Sequence, residues 1–298
     1  MYWNSLNDRL REQYGTKVYK LALSSGCSCP NRDGTLGTRG CIFCDGAGAF
    51  AAAGEISTQL TEAKSRVAAK AGAEAKYIAY FQSFTNTYGP VERLRELYLA
   101  AMEPEDVVVL SIATRPDCLA PEVLDLLEEL GRKKSVWVEL GLQTIHPETA
   151  DYIRRGYDLP VYEEAVRNLK VRGMTVIAHQ ILGLPGETAD MMAETAQYIG
   201  QSGADGVKFH LLHVLRGTDL AVDWEAGRFE TMNMETYIEV LEECVRRIPR
   251  EMVIHRLTGD GAKRDLLSPL WSGDKKRVLN AIHAAFLRDH VEQGSALR

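Results

Sequence analysis

The sequence predicts an α/β fold: a partial (β/α)6 barrel of the TIM type, with parallel strands and a helical C-terminal extension. Three observations lead there. Six near-continuous apolar segments rich in Val, Ile and Tyr recur along the chain, the pattern of parallel strands buried on both faces. Helical patterns with start and stop signals separate them. No composition break or Pro/Ser-rich linker interrupts the 298 residues, a length that suits one large barrel-type domain.

In order, the predicted strands are "KVYKLALSSG", "AKYIAYFQSF", "DVVVLSIAT", "SVWVELGL", "MTVIAHQILGL" and "DGVKFHLLHV", with a shorter seventh in "EMVIHRL". Pro90 and Pro121 open "PVERLRELYLAAM" and "PEVLDLLEELG" near the first helical position, where a missing N–H costs nothing. Val123, Leu127 and Leu130 share a helix face, and Gly131 and Gly173 stand as C-terminal caps. "TADMMAETAQYIGQSG" places Met192, Ala196 and Ile199 on one face, as core. The expected division is a barrel core over residues 1–213 and an extension over 214–298, with helices around 233–248 and 274–292.

Composition narrows the function. At 45% apolar and 26% charged residues the chain can bury a sizeable core. "MYWNSLNDRLREQYG" lacks the basic and apolar regions of a signal peptide, and no apolar run is long enough to span a membrane. The expected location is the cytoplasm, where thiols stay reduced and clustered cysteines read as metal ligands or catalysts. A net charge of −6 gives no global signal for nucleic acid. Residues 246–277 nevertheless carry nine Lys/Arg against four Asp/Glu, either solvated helix faces or a phosphate-contacting surface.

Four of the six cysteines fall in "GCSCPNRDGTLGTRGCIFC", residues 26–44, directly after the first strand. In a barrel, the C-terminal end of a strand faces the site. Cys29, Cys41 and Cys44 fit an iron–sulfur cluster that leaves one iron open. With Cys27 they also make a possible four-thiolate zinc set, though structural zinc usually draws on two close cysteine pairs.

The motifs "CPNRDGTLGTRGCIFC", "YFQSFTNTY", "TRPDCL", "ELGLQT", "HQILGLPGE" and "HRLTGD" resemble the radical S-adenosylmethionine (SAM) superfamily, in its YhcC/YtqA-like branch, across nearly the whole chain. The resemblance implies that Cys29, Cys41 and Cys44 bind a [4Fe-4S] cluster. SAM would chelate the fourth iron and be cleaved to a 5′-deoxyadenosyl radical that abstracts a substrate hydrogen. Phe43 would lie near the adenine. The branch implies conversion of a tRNA wobble-uridine side chain from carboxymethylaminomethyl to aminomethyl, with the basic segment 246–277 on the tRNA and a flavodoxin- or ferredoxin-type electron donor. Radical chemistry on a small molecule or protein side chain, and a non-catalytic zinc-stabilised binding module, are the alternatives.

Polar residues at the strand ends complete the candidate site. Gln82, Ser83, Thr85 and Asn86 can receive the SAM amino group or position a loop. Arg115 can pair bidentately with an anion or salt-bridge to a neighbour, and Cys118 can quench a radical or hold an intermediate. Glu139, costly to bury alone, and Gln143 are expected at SAM. Ile181 can pack on adenine and Gly183 lets the backbone approach a ligand. Lys208 and His210 share a strand face, so at least one is expected to line the cavity. His179 reads as a core histidine, Cys244 as core, and Arg256 and Asp260 as substrate contacts or a simple turn.

Overall fold

The computed structural model describes residues 2–46, 54–72, 74–82, 84–259 and 263–297. Helix α1 (Leu6–Tyr14) leads into β1 (Val18–Leu23), and the cysteine loop follows. Next come α2 (Ile56–Val67), β2 (Lys76–Phe81), α3 (Val91–Met102), β3 (Val107–Thr114), α4 (Pro121–Gly131) and β4 (Ser135–Gln143). The short α5 (Pro147–Tyr152) and α6 (Leu159–Val171) precede β5 (Thr175–Leu182), α7 (Ala189–Gln201) and β6 (Gly206–Leu211). The remainder supplies β7 (Val214–Leu215), α8 (Asp219–Glu225), α9 (Met234–Arg246), β8 (Val253–Arg256), β9 (Leu266–Ser268) and α10 (Lys275–Arg288).

Seven strands, in the order β1-β2-β3-β4-β5-β6-β8, form one wholly parallel sheet curled into a half-barrel. All six expected strands are present, and "EMVIHRL" supplies the seventh. Residues beyond 213 therefore return to the same sheet, through β8 on β6. The short strands β7 and β9 make a separate antiparallel ribbon beyond the end of β6.

Side chains alternate across each strand, giving two different faces. The outer face carries Ala79, Phe81, Leu110, Ile112, Val136, Val138 and Leu140 against the helices. The inner face is layered. At its N-terminal end Ile78, Val109, Trp137 and Ile177 pack on Leu6 and Leu10 of α1. One turn of strand further on, the inward positions become Tyr80, Ser111, Glu139, His179 and Lys208. The strands are thus less uniformly apolar than continuous runs suggest.

Helix α1 closes the inner face from below and contacts both β1 and β8. Ser5 caps it by accepting from the Asp8 N–H, and Ile254 N–H donates to the Asn4 carbonyl at 2.8 Å. An N-cap Ser three residues before an acid is a helix-start signal that the sequence reading of this segment did not use.

The basic segment is not one surface. Val253 pairs with Gly206, the first residue of β6, so Arg246, Arg247 and Arg250 lie at the N-terminal end of the strands. There they meet Glu242, Glu243 and Glu292. Lys263, Arg264, Lys275, Lys276 and Arg277 flank β9, at the opposite end, and are exposed. Among the described residues no helix is long and apolar enough to cross a membrane.

Candidate active site

A cavity of about 380 Å³ opens at the C-terminal end of the half-barrel. Cys29, Cys41, Cys44 and Phe43 form one wall, and Tyr80, Glu139, His179, His210 and Arg256 form its base. The three cysteines are free and half-buried. Arg32 secures their loop by donating to the Cys44 carbonyl at 2.6 Å. A Cβ on Gly40, which has φ +76°, would stand 2.7 Å from the Arg32 Nε, so glycine lets the guanidinium cross the loop. Asn31 Nδ2 donates to the Arg154 carbonyl at 2.7 Å and lies 3.4 Å from Cys41 Sγ. Burial pushes the Cys41 thiol up to about 11.

Cys27 is turned away from this wall. It is buried in the outer core, its sulfur facing Gly89, so the four-thiolate zinc set is not assembled. Among the described residues no three Cys, His, Asp or Glu side chains converge as ligands of one ion. A polynuclear cluster needs no such convergence, since its thiolates bind different irons. Three free thiols facing one cavity, ringed by arginines, are a donor set that fits a [4Fe-4S] cluster.

The other candidates divide. Gln82, Thr85, Arg115, Glu139, Gln143 and His210 line the cavity with Phe43. Ser83 and Asp260 lie outside the described residues. Asn86 is fully buried behind the wall, donating to the Ala113 carbonyl at 2.8 Å and accepting from Ser25 Oγ at 2.7 Å. Its use is to hold the β2 loop against β3. Ile181 packs with Ile42, Ile153 and Leu212 and is not part of the lining. Gly183, at φ +91°, faces Met232: a Cβ there would meet its Cε at 2.8 Å. The close approach that requires glycine is thus made by a side chain.

Arg115 does pair bidentately, but within the chain. Its Nε and Nη2 donate to Asp117 at 2.9 and 2.7 Å, and Nη1 donates to the Arg155 carbonyl at 2.8 Å. Cys118 lines a different recess of about 750 Å³, behind the Cys29–Pro30 segment, which none of Cys29, Cys41 and Cys44 lines. Burial, reinforced by Asp117, pushes its thiol up to about 12, unlike an activated cysteine. This recess is larger, but the smaller cavity holds the reactive groups.

Glu139 is the centre of the interior. Ser111 Oγ donates to it at 2.8 Å, His179 Nε2 lies at 2.9 Å, Lys20 Nζ at 3.5 Å, and Lys208 Nζ donates to it directly. Burial works against its charge, but Lys208, Lys20 and His179 outweigh it and hold the carboxyl well below the usual carboxylate range. Lys208 itself is 2% exposed, beneath the cavity, and also donates to Tyr80 at 3.1 Å. Of the two residues expected on one face, His210 reaches the cavity and Lys208 braces its base.

His179, His210 and His255 are all held neutral by burial, His179 at about 4. Each has a folded value below its unfolded value of 6.5, so the unfolded chain binds more protons in acid. Their stability contribution is present above pH 6.5 and is lost as pH falls toward the folded values. His179 alone is expected to cost about 2 kcal/mol between pH 6.5 and 5. Urea unfolding at pH 7 and pH 5 checks this; an unchanged unfolding free energy would show that the imidazoles titrate in the fold as they do in the unfolded chain.

Residues the sequence reading missed include Asn31, Arg32, Arg155 and Tyr157. Arg155 donates to the Thr144 and Leu142 carbonyls at 2.6 and 3.2 Å and lies over the Tyr157 ring. "RRGY" after a strand-end helix was the available signal.

Comparison with known proteins agrees with this geometry. Residues 34–199 match the radical SAM superfamily, and residues 204–288 match its C-terminal domain. The chain is 45% identical to the uncharacterized protein YtqA of Bacillus subtilis, over 94% of this chain and 88% of that one. It is 38% identical to the protein YhcC of Escherichia coli, over 99% and 95%. A tRNA uridine(34) acetyltransferase of Methanocaldococcus jannaschii is 29% identical over 61% of this chain and 33% of its own. Among solved structures, Elp3 of Methanocaldococcus infernus superposes with a TM-score of 0.71 at 19% identity, over 93% of this chain. This chain spans 64% of that structure's length. Cysteine wall, half-barrel and sequence kinship converge: the chain belongs to the radical SAM superfamily and is a radical SAM enzyme of its YhcC/YtqA-like branch.

Proposed function

We propose that the enzyme remodels the side chain of a tRNA wobble uridine, converting carboxymethylaminomethyl to aminomethyl. The observation that carries the reading is the cavity itself, with three thiols on one wall and a polar base of Tyr80, Glu139, His179, His210 and Arg256 opposite. The sequence kinship to a protein named for tRNA uridine(34) supports the substrate. So do the exposed cations of Lys263, Arg264 and Lys275–Arg277 on the cavity end of the sheet, which suit phosphate contacts. The cations at Arg246, Arg247 and Arg250 sit at the far end and are left out of the docking surface.

In this reading Cys29, Cys41 and Cys44 hold the [4Fe-4S] cluster. Bound there, the cluster would supply an electron, drawn from a flavodoxin- or ferredoxin-type donor, for the reductive cleavage of SAM. Arg32 and Asn31 fix the loop and offset thiolate charge. Gln82, Gln143 and Phe43 shape the SAM side of the cavity. Thr85, Arg155 and Tyr157 close its walls and keep water out.

Nucleoside mass spectrometry of tRNA from a strain lacking this gene tests the reading. Carboxymethylaminomethyl uridine is expected to accumulate, and wild type but not Cys41→Ala clears it. An unchanged tRNA profile overturns the substrate assignment.

A further inference from the structure

The loop after β2 carries an aromatic side chain that burial does not explain. Phe84 is 40% exposed, the one exposed large apolar side chain among the described residues that line the cavity. Its neighbours fix it there. Thr85 donates its N–H to the Ser28 carbonyl at 3.2 Å, and the Asn86 N–H donates to the Ala113 carbonyl at 3.2 Å. The ring therefore stands on a pinned loop at the cavity rim, beside the cysteine segment.

The backbone is a second observation. Phe84 has φ +60°, in the left-handed region that a bulky side chain rarely adopts. Glycine takes that conformation without steric cost, yet the position holds a phenyl ring. Gln143, at φ +68°, lines the same cavity. Strain of this kind gathers at ligand sites, where it holds a side chain ready.

The ring is also already half of a stack. The Arg32 guanidinium lies over it, 5.7 Å from the ring centre, and donates to the Cys44 carbonyl. A cation fixed to the cysteine loop thus backs the ring, and the exposed remainder is a flat apolar surface. Aromatic faces presented beside a cation stack nucleobases.

We infer that Phe84, backed by Arg32, is the stacking platform for the uracil ring of the wobble uridine. The inference deepens the proposed function and rests on it for the identity of the base. Size supports it. A cavity of about 380 Å³ suits one drug-sized ligand, and SAM is such a ligand. The uridine side chain can enter beside SAM, but its base must stay at the rim, where Phe84 stands. An anticodon base is unpaired and free to be splayed onto such a ring.

The test is a double-mutant cycle between ring and base, read by binding to the anaerobically reconstituted protein with saturating SAM. One anticodon stem-loop carries carboxymethylaminomethyl uridine at the wobble position, and the other is abasic there. Phe84→Ala is expected to weaken the first by about fivefold or more, the worth of one base–aromatic stack. Wild type and Phe84→Ala bind the abasic stem-loop alike, so the two losses are not additive. Phe84→Tyr, which keeps the aromatic face, keeps the wild-type affinity.

An equal effect of Phe84→Ala on both stem-loops, zero included, overturns the platform and leaves the tRNA reading standing. A parallel fall in SAM affinity then marks SAM's adenine as the ring's occupant. A loss shared by Phe84→Tyr also overturns it, because the loop's conformation and not the ring's face is then at work. If wild type binds neither stem-loop, the tRNA reading and the platform fail together.

Discussion

Alanine at Cys29, Cys41 or Cys44 is expected to abolish iron and sulfide binding on anaerobic reconstitution, and SAM cleavage with it. Alanine at Cys27 or Cys118 leaves both intact. The separation follows from where the thiols sit: three on one cavity wall, Cys27 in the outer core, Cys118 in the recess behind. Cys27→Ala removes a buried sulfur and costs about 1 kcal/mol of stability. Iron and sulfide content per chain, read with the visible absorbance, checks the whole set. Loss of iron in the Cys27 variant would return the four-thiolate arrangement to consideration.

The second large effect is on stability. Glu139→Ala removes the carboxylate shared by Lys208, Lys20 and His179 and leaves a buried ammonium without its counter-ion. Breaking one side of such a pair costs about 3–5 kcal/mol, a fall in Tm of roughly 10 °C. Glu139→Leu with Lys208→Met replaces the pair by apolar groups of similar volume and is expected to recover most of the loss. Lys20, about a quarter exposed, keeps access to water in both variants. Denaturant unfolding of the three proteins decides it: a single-variant loss below about 1 kcal/mol would mean the pair is not the interior's anchor.

How much of this was legible in the sequence differs by level. Strand order and the parallel sheet follow from period and from well-marked helix ends, as at Pro121 and Gly173. The cysteine wall follows from spacing. What failed to show was which way a polar side chain's hydrogen bonds turn. Arg115 and Asn86 sit where the motif reading expected ligand contacts, yet Asp117 and the Ala113 carbonyl use their donors. Gly183 marks a close approach, but the approaching group is Met232, distant in sequence. Lys208 and His210 share a face, and only the depth of the curled sheet separates a brace from a cavity wall. The basic run from 246 to 277 reads as one patch because sequence does not show that β8 carries the chain from one end of the sheet to the other.

A closed barrel zips its first strand to its last by hydrogen bonds; a half-barrel has no such seam. Here Lys20 on β1 and Lys208 on β6 meet the same carboxylate from opposite sides, with Ser111 on β3 and His179 on β5 between them. The network is an electrostatic clasp across the open interior. Separating either β1 or β6 from the interior strands a charge, so fraying at the β1 edge is penalised across the sheet. Amide hydrogen exchange should accordingly report β1 through β6 opening as one block, at a free energy near that of global unfolding. The cysteine loop lies outside the clasp: Asn31 and the Ile42 N–H tie it to the Arg154 and Ile153 carbonyls, not to the shared carboxylate.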